Sequence, residues 1–261
     1  METRTHRVRQ VRRLGGPSCA LEVEGPIPAT EPGQFYMLRT AARWPVLLPR
    51  PFSLYDSATD GSFGSFLLKE VGPGTRALAE CVPGSEVVLT GPLGKPFPAE
   101  VEDPVCVAGG VGLAPFLLVA RRQLALGRPR PRLLFGGRDA VSLAGLADLE
   151  PVARTWTSTD DGSHGQHGQV TDLLRDLLER GDVRADDTVF CCGPDPMMHA
   201  VARWCAARSM RCLLSLETVM ACGYGVCNGC SVAVVPERNG GWPYSRTCEH
   251  GPVYDARDLV L

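Results

Sequence analysis

At 261 residues, 44% apolar and with both charge signs mixed to a net of −2, the chain is an ordinary globular protein with room for two domains and a small appendage. The charge balance excludes a basic nucleic-acid face. The longest apolar stretch, residues 113–126, is broken by Arg121 and Arg122 and is too short to span a bilayer. The arginine-rich start (Arg4, Arg7, Arg9, Arg12, Arg13) has no apolar signal region after it. Its alternation reads as the wet face of a first strand, and the expectation is a cytoplasmic protein.

Through the first hundred residues, short strand-like runs (Cys19–Val23, Gln34–Leu38, Ser65–Val71, Glu86–Leu89) alternate with Gly/Pro punctuation such as Gly72-Pro73-Gly74 and Val82-Pro83-Gly84. That rhythm predicts a small antiparallel barrel. After Pro104 the pattern changes. Buried strands are predicted at Val105–Ala108, Leu133–Phe135, Thr155–Ser158, Thr188–Cys191 and Cys212–Leu216. Helical periodicity at Leu113–Leu126, Asp172–Arg180 and Pro196–Ser209 separates several of them, which predicts a parallel sheet wrapped by helices. The expected domains are 1–98, 99–212 and 213–261.

Unusual residues gather at the carboxyl ends of those strands: Gly109-Gly110-Val111-Gly112, Gly136-Gly137-Arg138, Thr159-Asp160-Asp161-Gly162 and Cys192-Gly193-Pro194. Ligands of open parallel sheets bind just there, so the four loops read as one composite site. Glycines between a strand and a helix let backbone N–H groups approach a phosphate, and Pro115 suits the first helical turn. The same glycines also serve a tight turn with no ligand. Asp160 and Asp161 suit either a ribose or a cap.

Eleven cysteines are present. Cys19, Cys81, Cys106, Cys205 and Cys212 sit among apolar neighbours and read as buried thiols. Cys222, Cys227 and Cys230, with the later Cys248, follow the C-x4-C-x2-C plan of plant-type [2Fe–2S] proteins. Gly223, Gly225 and Gly229 let such a loop fold tightly and aim N–H groups at sulfur. Four thiolates also suit Zn²⁺, but three cysteines on one glycine loop favour iron–sulfur. His250 offers an imidazole in place of Cys248, and Glu217 offers an acceptor beside the loop.

The series Arg50-Pro51-Phe52-Ser53, Gly109-Gly110-Val111-Gly112-Leu113-Ala114-Pro115 and Cys192-Gly193-Pro194-Asp195-Pro196-Met197 resembles the ferredoxin–NADP reductase superfamily. The resemblance implies an FAD-binding barrel followed by a nicotinamide-nucleotide domain. It implies that Arg50, Pro51, Phe52 and Ser53 meet FAD, with Arg50 on the pyrophosphate and Ser53 near the isoalloxazine N5. By the same resemblance, Leu67, Leu68, Lys69, Gly74 and Thr75 are implied to form the next flavin strand and turn, with the Thr75 hydroxyl donating to phosphate. Gly109, Gly110, Gly112, Arg138, Asp160, Cys192, Gly193 and Pro194 are implied to meet the nucleotide, with Cys192 near the nicotinamide–flavin contact. Arg138 suits a 2′-phosphate and Asp139 repels one; family precedent favours NAD.

Ser215-Leu216-Glu217, Met220 through Cys227 and Cys248 through Tyr254 resemble the electron-transfer subunits of dihydroorotate dehydrogenase B, with Tyr254 where Phe is usual and Phe52 where an aliphatic residue is commoner. That likeness spans essentially the whole chain. It implies a catalytic FMN-containing partner, two copies of each in a heterotetramer, and electrons passing through [2Fe–2S] and FAD to NAD⁺ in pyrimidine biosynthesis. A reductase serving an oxygenase, hydrogenase or sulfite-reducing partner is the alternative, and a zinc-stabilised or redox-sensing binding module is another.

Overall fold

The structure is a computed structural model describing residues 1–261. Six antiparallel strands close a barrel: β1 (Glu2–Gly15), β2 (Ser18–Glu24), β3 (Phe35–Thr40), β4 (Arg50–Ser57), β5 (Phe63–Lys69) and β6 (Glu86–Leu93). Strand alternation decides which side chains enter it. On β1, His6 and Val8 are buried while Arg7 and Arg9 face water, as the arginine pattern predicts. A short helix, α1 (Pro73–Ala79), plugs one end with Leu78 and Ala79.

The second unit alternates β7 (Val105–Gly109), α2 (Ala114–Ala125), β8 (Arg132–Gly137), α3 (Leu146–Leu149), β9 (Arg154–Thr159), β10 (Gln166–His167), α4 (Val170–Arg180), β11 (Thr188–Cys192), α5 (Asp195–Ala206) and β12 (Arg211–Ser215). Leu173, Leu174 and Leu177 form the buried stripe of α4. Helix α5 stops at Ala206, short of the expected Ser209, whose φ of 57° lies outside the helical region. The C-terminal segment adds β13 (Ser231–Ala233), β14 (Tyr244–Arg246), α6 (Thr247–His250) and β15 (Val253–Asp255).

Strand order in the large sheet is β10-β9-β8-β7-β11-β12-β15. The chain moves outward from β7 to β10, then returns to the other side of β7 with β11. The order therefore reverses between β7 and β11, and the crevice of the sheet opens at that point. All pairings are parallel except the last, in which β15 runs antiparallel to β12. The expected boundary after residue 212 thus falls inside β12, and the C-terminal segment completes the nucleotide-domain sheet through β15.

The barrel and the sheet share one core. Tyr55 and Leu67 of the barrel pack in a single cluster with Phe116, Leu117, Phe135 and Phe190, and the Phe97 ring stacks 4.5 Å from Phe190. Polar ties flank the contact. Asp148 accepts from the Tyr55 hydroxyl at 2.8 Å and from Arg12 at 2.7 Å, and Arg121 pairs with Asp56 at 2.6 Å. Burial, then the bond to Asp148, push the Tyr55 phenol well above its ordinary range, so it remains a donor.

Far from the crevice, at the amino ends of the strands, Arg132 donates to both Asp187 oxygens (2.5 and 2.9 Å) and to the carbonyls of Asp182 and Asp103. Both side chains are almost wholly buried. Removing one partner strands a charge inside the protein. Arg132→Ala is expected to cost about 3–5 kcal/mol in chemical denaturation. A loss under about 1 kcal/mol would mean that water reaches the pair.

Candidate functional site

A cleft of about 400 Å³ opens where the three segments meet, within the size range of cofactor pockets. The barrel supplies Phe35, Pro51, Phe52, Ser53, Leu67, Lys69 and Thr75, and the second unit supplies Val111, Ala114, Pro115 and Cys192. The stretch after β12 supplies Ser215, Leu216, Glu217, Thr218 and Met220, with Pro252 just before β15. Of the four strand-end loops expected to form a composite site, only those after β7 and β11 reach this cleft, through Val111 and Cys192, and a fifth that was not expected, after β12, forms much of its wall. Its position at the end of a predicted strand was the available signal.

Of the residues expected at a flavin, Pro51, Phe52, Ser53, Leu67, Lys69 and Thr75 line this cleft; Arg50, Leu68 and Gly74 do not. Leu68 points the other way, into the barrel core, because neighbours on a strand face opposite sides. Arg50 donates to the Leu48 carbonyl at 2.9 Å. Gly74 lets the first turn of α1 sit beneath Trp44 and Val46, whose side chains a Cβ there would meet at 3.0–3.3 Å. The Thr75 hydroxyl does not reach out as expected. It accepts from Val71 and Gly72 N–H and donates to the Gly72 carbonyl, which closes the loop before α1. Ser53 and Lys69 make no side-chain hydrogen bond or ion pair within the chain, and the buried Thr218 Oγ1 has no partner. Polar groups left open around an apolar cleft are what an isoalloxazine ring and its ribityl chain require, so the cleft fits a flavin.

At the crevice, the loops after β7 and β11 touch backbone to backbone. A Cβ on Gly112 would run into the Cys192 carbonyl, one on Gly109 would lie 2.6 Å from Met197 Sδ, and one on Gly193 would meet the Gly109 backbone at 3.0 Å. These three glycines are thus required by the contact between two strand ends. Gly110, at φ 54° with open space around it, is the one whose backbone faces outward. Pro115 lies in the first turn of α2. Burial, and then the nearby Glu217 carboxylate, raise the Cys192 thiol far above its usual range, so it stays protonated. Glu217 therefore belongs to the cleft wall, where it faces Cys192, and forms no bond to the cysteine loop.

Arg138 is exposed, with no ion pair, and the Asp139 carboxylate is taken up by the N–H and hydroxyl of Ser142, both at 2.8 Å. Asp161 is likewise occupied by Ser163, whereas the exposed Asp160 carboxylate makes no hydrogen bond or ion pair within the chain. Asp160 and Asp161 are joined to β8's end by N–H bonds to the carbonyls of Gly137 and Arg138.

The four late cysteines lie along one loop and α6 and meet at Cys230 and Cys248, although no three cysteine, histidine or acidic side chains stand together closely enough to hold a metal ion. Cys230 and Cys248 are buried with Met220, Phe35, Met37 and Leu93 in one cluster, Cys222 is half-buried and Cys227 is exposed. Residues 223, 225 and 228 all adopt positive φ, which curls the loop and turns its N–H groups inward. Gly225 N–H donates to Cys248 Sγ at 3.1 Å and Gly229 N–H to Cys227 Sγ at 3.4 Å. Burial opposes ionisation of Cys222, but N–H groups of Cys227, Tyr224 and Val226 overcome it and bring the thiol down to about 6. Burial and the neighbouring Cys230 push Cys248 up to about 12. Loop N–H groups aimed at cysteine sulfur fit an iron–sulfur cluster better than a bare zinc knuckle. Gly223 packs so closely on the barrel that its Cβ would lie 2.6 Å from Met37 Cγ. Tyr254, in place of the usual Phe, uses its hydroxyl to bond Ser245 at 2.9 Å and ties β15 to β14. No helix is long and apolar enough to cross a membrane.

Comparison with known proteins agrees with this layout. Residues 106–203 match the oxidoreductase NAD-binding domain, and residues 217–260 match the iron–sulfur cluster binding domain of dihydroorotate dehydrogenase B. The NAD(+)-linked dihydroorotate dehydrogenase B electron-transfer subunit of Clostridium acetobutylicum is 34% identical, over 88% of this chain and 86% of its own. That of Caldanaerobacter subterraneus is 31% identical over 98% and 97%. Among solved structures, a chain of the NADH-dependent reduced ferredoxin–NADP oxidoreductase has the same fold, with a TM-score of 0.84 and 23% identity over 98% of this chain and 89% of that one. Phthalate dioxygenase reductase matches at a TM-score of 0.67 and 17% identity, over 89% and 86%. A barrel, a nucleotide crevice and a cysteine loop in this order, with identity of this extent along nearly the whole length, place the chain in the family of dihydroorotate dehydrogenase B electron-transfer subunits, an oxidoreductase family.

Proposed function

We propose that the chain passes electrons from dihydroorotate oxidation, carried out on a separate FMN-containing subunit, through a [2Fe–2S] cluster and FAD to NAD⁺, in the cytoplasm and in the service of pyrimidine biosynthesis. The observation that carries this reading is the shared boundary of cleft and cysteine loop: Phe35 and Met220 belong both to the cleft wall and to the apolar cluster around Cys230 and Cys248. Cys222, Cys227, Cys230 and Cys248 are the proposed cluster ligands.

Bound FAD supplies the conversion between one-electron and two-electron transfer. The chain's own residues hold it and keep water away. Pro51, Phe52 and Leu67 offer apolar surface, while Ser53 and Lys69 offer open donors. Gly109, Gly110 and Gly112 with Gly193 and Pro194 shape the nucleotide crevice, where a protonated Cys192 fills the floor beneath the nicotinamide and takes no proton or bond. Asp160, whose carboxylate makes no bond within the chain, is the proposed partner of a ribose hydroxyl, and the family relationship favours NAD.

The partner surface is proposed around the exposed side of the cysteine loop. Val219 (84% exposed), Val226 (72%) and Trp242 (74%), with Tyr224 and Tyr244, are exposed apolar side chains in that segment. Exposed Cys227 lies within it. A heterotetramer with two of each subunit is the proposed assembly.

Co-expression with a dihydroorotate-oxidising FMN subunit, followed by assay of dihydroorotate-driven NADH formation, tests the whole relay. Strong stimulation by this chain is expected, and none would sink the pyrimidine assignment. Alone, the chain is expected to oxidise NADH with an artificial acceptor but not dihydroorotate. Cys227→Ser is expected to lose iron and sulfide while keeping flavin. Zinc in place of iron in the wild-type protein would overturn the cluster assignment. Gly112→Ala is expected to raise KM for NAD⁺ at least about tenfold with flavin content unchanged, since it separates the two strand ends. An unchanged KM would remove the crevice from nucleotide binding.

A further inference from the structure

Packing alone does not account for Tyr55. Its ring is buried in the core shared by barrel and sheet, a place that a phenylalanine ring would fill as well. The hydroxyl is the difference. Those of Tyr36 and Tyr254 bond within their own segments, to Thr30 and Ser245. Tyr55 instead reaches across the interface and donates to Asp148 of α3 at 2.8 Å. The backbone accommodates that reach on both sides. Strand β4 carries a bulge: Leu54 pairs with Phe66 and Asp56 with Ser65, so Tyr55 is the extra residue, and a bulge re-aims the side chain it carries. On the far side, a Cβ on Gly145 would lie 2.9 Å from the Tyr55 hydroxyl and 3.1 Å from Leu113 Cδ2. The hydroxyl therefore meets the start of α3 where it packs on Leu113, which ends the glycine loop after β7.

Asp148 also accepts from Arg12 of β1 at 2.7 Å, and Arg121 of α2, which lines the same small cavity, pairs with Asp56 of β4 at 2.6 Å. The two ion pairs run in opposite senses, the barrel supplying the cation in one and the anion in the other. Arg12 and Arg121 are 41% and 50% exposed, which weakens both pairs, whereas the Tyr55 phenol is buried. Apolar contact is non-directional and lets two surfaces slide. A hydrogen bond to an ionised acceptor is directional and holds them in register. These ties stand at one end of the contact between α2 and β4, and the cleft opens at the other. Arg121 is about 10 Å along α2 from Ala114, and Asp56 is about 10 Å along β4 from Ser53.

We propose that the Tyr55 hydroxyl, acting through Asp148, is a positioning group for hydride exchange: it holds the barrel wall of the cleft, Phe52 and Ser53, in register with the nucleotide wall, Val111 and Ala114. This rests on the placement of FAD in the cleft and NAD at the crevice. Hydride exchange moves one hydrogen nucleus with two electrons from reduced nicotinamide to oxidised flavin, and a misplacement of about 1 Å costs such a step up to about a hundredfold. Tyr55 itself does not line the cleft, so its hydroxyl governs the rate of exchange and not the occupancy of either site.

The test uses the full chain with Tyr55→Phe, which keeps the ring and loses the hydroxyl, with Asp148→Ala, and with both. Amide hydrogen exchange is followed across residues 146–153, FAD affinity by fluorescence titration, thermal unfolding by calorimetry, and bleaching of the bound flavin by NADH in a stopped-flow instrument. Tyr55→Phe is expected to speed amide exchange in that segment at least about threefold and to slow the limiting rate of bleaching about tenfold. FAD affinity and the half-saturating NADH concentration are expected to stay within about twofold of wild type. Asp148→Ala is expected to act in the same direction, and the double variant to be no slower than Asp148→Ala alone, because hydroxyl and carboxylate work as one pair. A Tyr55→Phe chain that loses thermal stability but keeps the wild-type limiting rate would reduce Tyr55 to packing and overturn the proposal. Rate losses that multiply in the double variant would overturn it too. A wild-type chain whose flavin NADH does not bleach would instead overturn the placement of the two cofactors on which the proposal rests.

Discussion

The antiparallel pairing of β12 with β15 is the constraint on which the site depends. It holds both ends of residues 216–252 at one edge of the parallel sheet, through the pairs Leu213–Asp255, Leu214–Tyr254 and Ser215–Val253. Everything between those ends must then fold back over the barrel. Leu216 N–H reaches the Pro252 carbonyl at 2.9 Å and closes the neck of the excursion. Lys95 N–H donates to the Gly251 carbonyl, so the neck is also tied to the chain just after β6. A cysteine loop of this length, mounted on a rigid sheet edge, needs little hydrophobic core of its own. It borrows one from Phe35, Met37 and Leu93 of the barrel.

That arrangement orders the cysteines by burial. Cys230 and Cys248 face inward to Met220 and the cleft, while Cys227 faces outward among exposed apolar side chains. A redox centre so placed has a dry side toward the flavin cleft and an open side toward a partner. The dry side matters because low-dielectric packing excludes water from the space between two electron carriers. The ionisation preferences follow the same division: N–H donors favour the thiolate at Cys222, whereas burial disfavours it at Cys248.

Much of this was legible in the sequence, and the parts that were not have a common physical reason. Strand periodicity located β2, β3, β5 and β6 and all five central strands of the sheet, because alternation and buried apolar runs are local properties. The cysteine spacing and the strand-end glycines were local too. Contacts between distant segments leave no periodic trace. The three residues of β15 carry no strand signal strong enough to predict that they extend the sheet. Arg132 and Asp187 look like surface charges until the fold buries them together at 4% and 3% exposure. The fifth strand-end loop was hidden for a related reason: Thr218 and Met220 look unremarkable beside the cysteines that follow them. Thr75 was read for its chemistry alone, and the structure shows that chemistry used by Gly72.

The glycines of the crevice show how one sequence feature serves two demands. A glycine turn after a strand is expected where backbone approaches phosphate, yet Gly109, Gly112 and Gly193 are fixed by the mutual approach of the β7 and β11 loops. Only where β7 and β11 lie side by side does the order of strands reverse, so only there do two such loops have to diverge around a ligand. Close contact at their base is what lets them open above it. The crevice and the glycines are thus one geometric fact: side chains at those three positions would force the strand ends apart, and the nucleotide crevice would lose its shape before any ligand arrived.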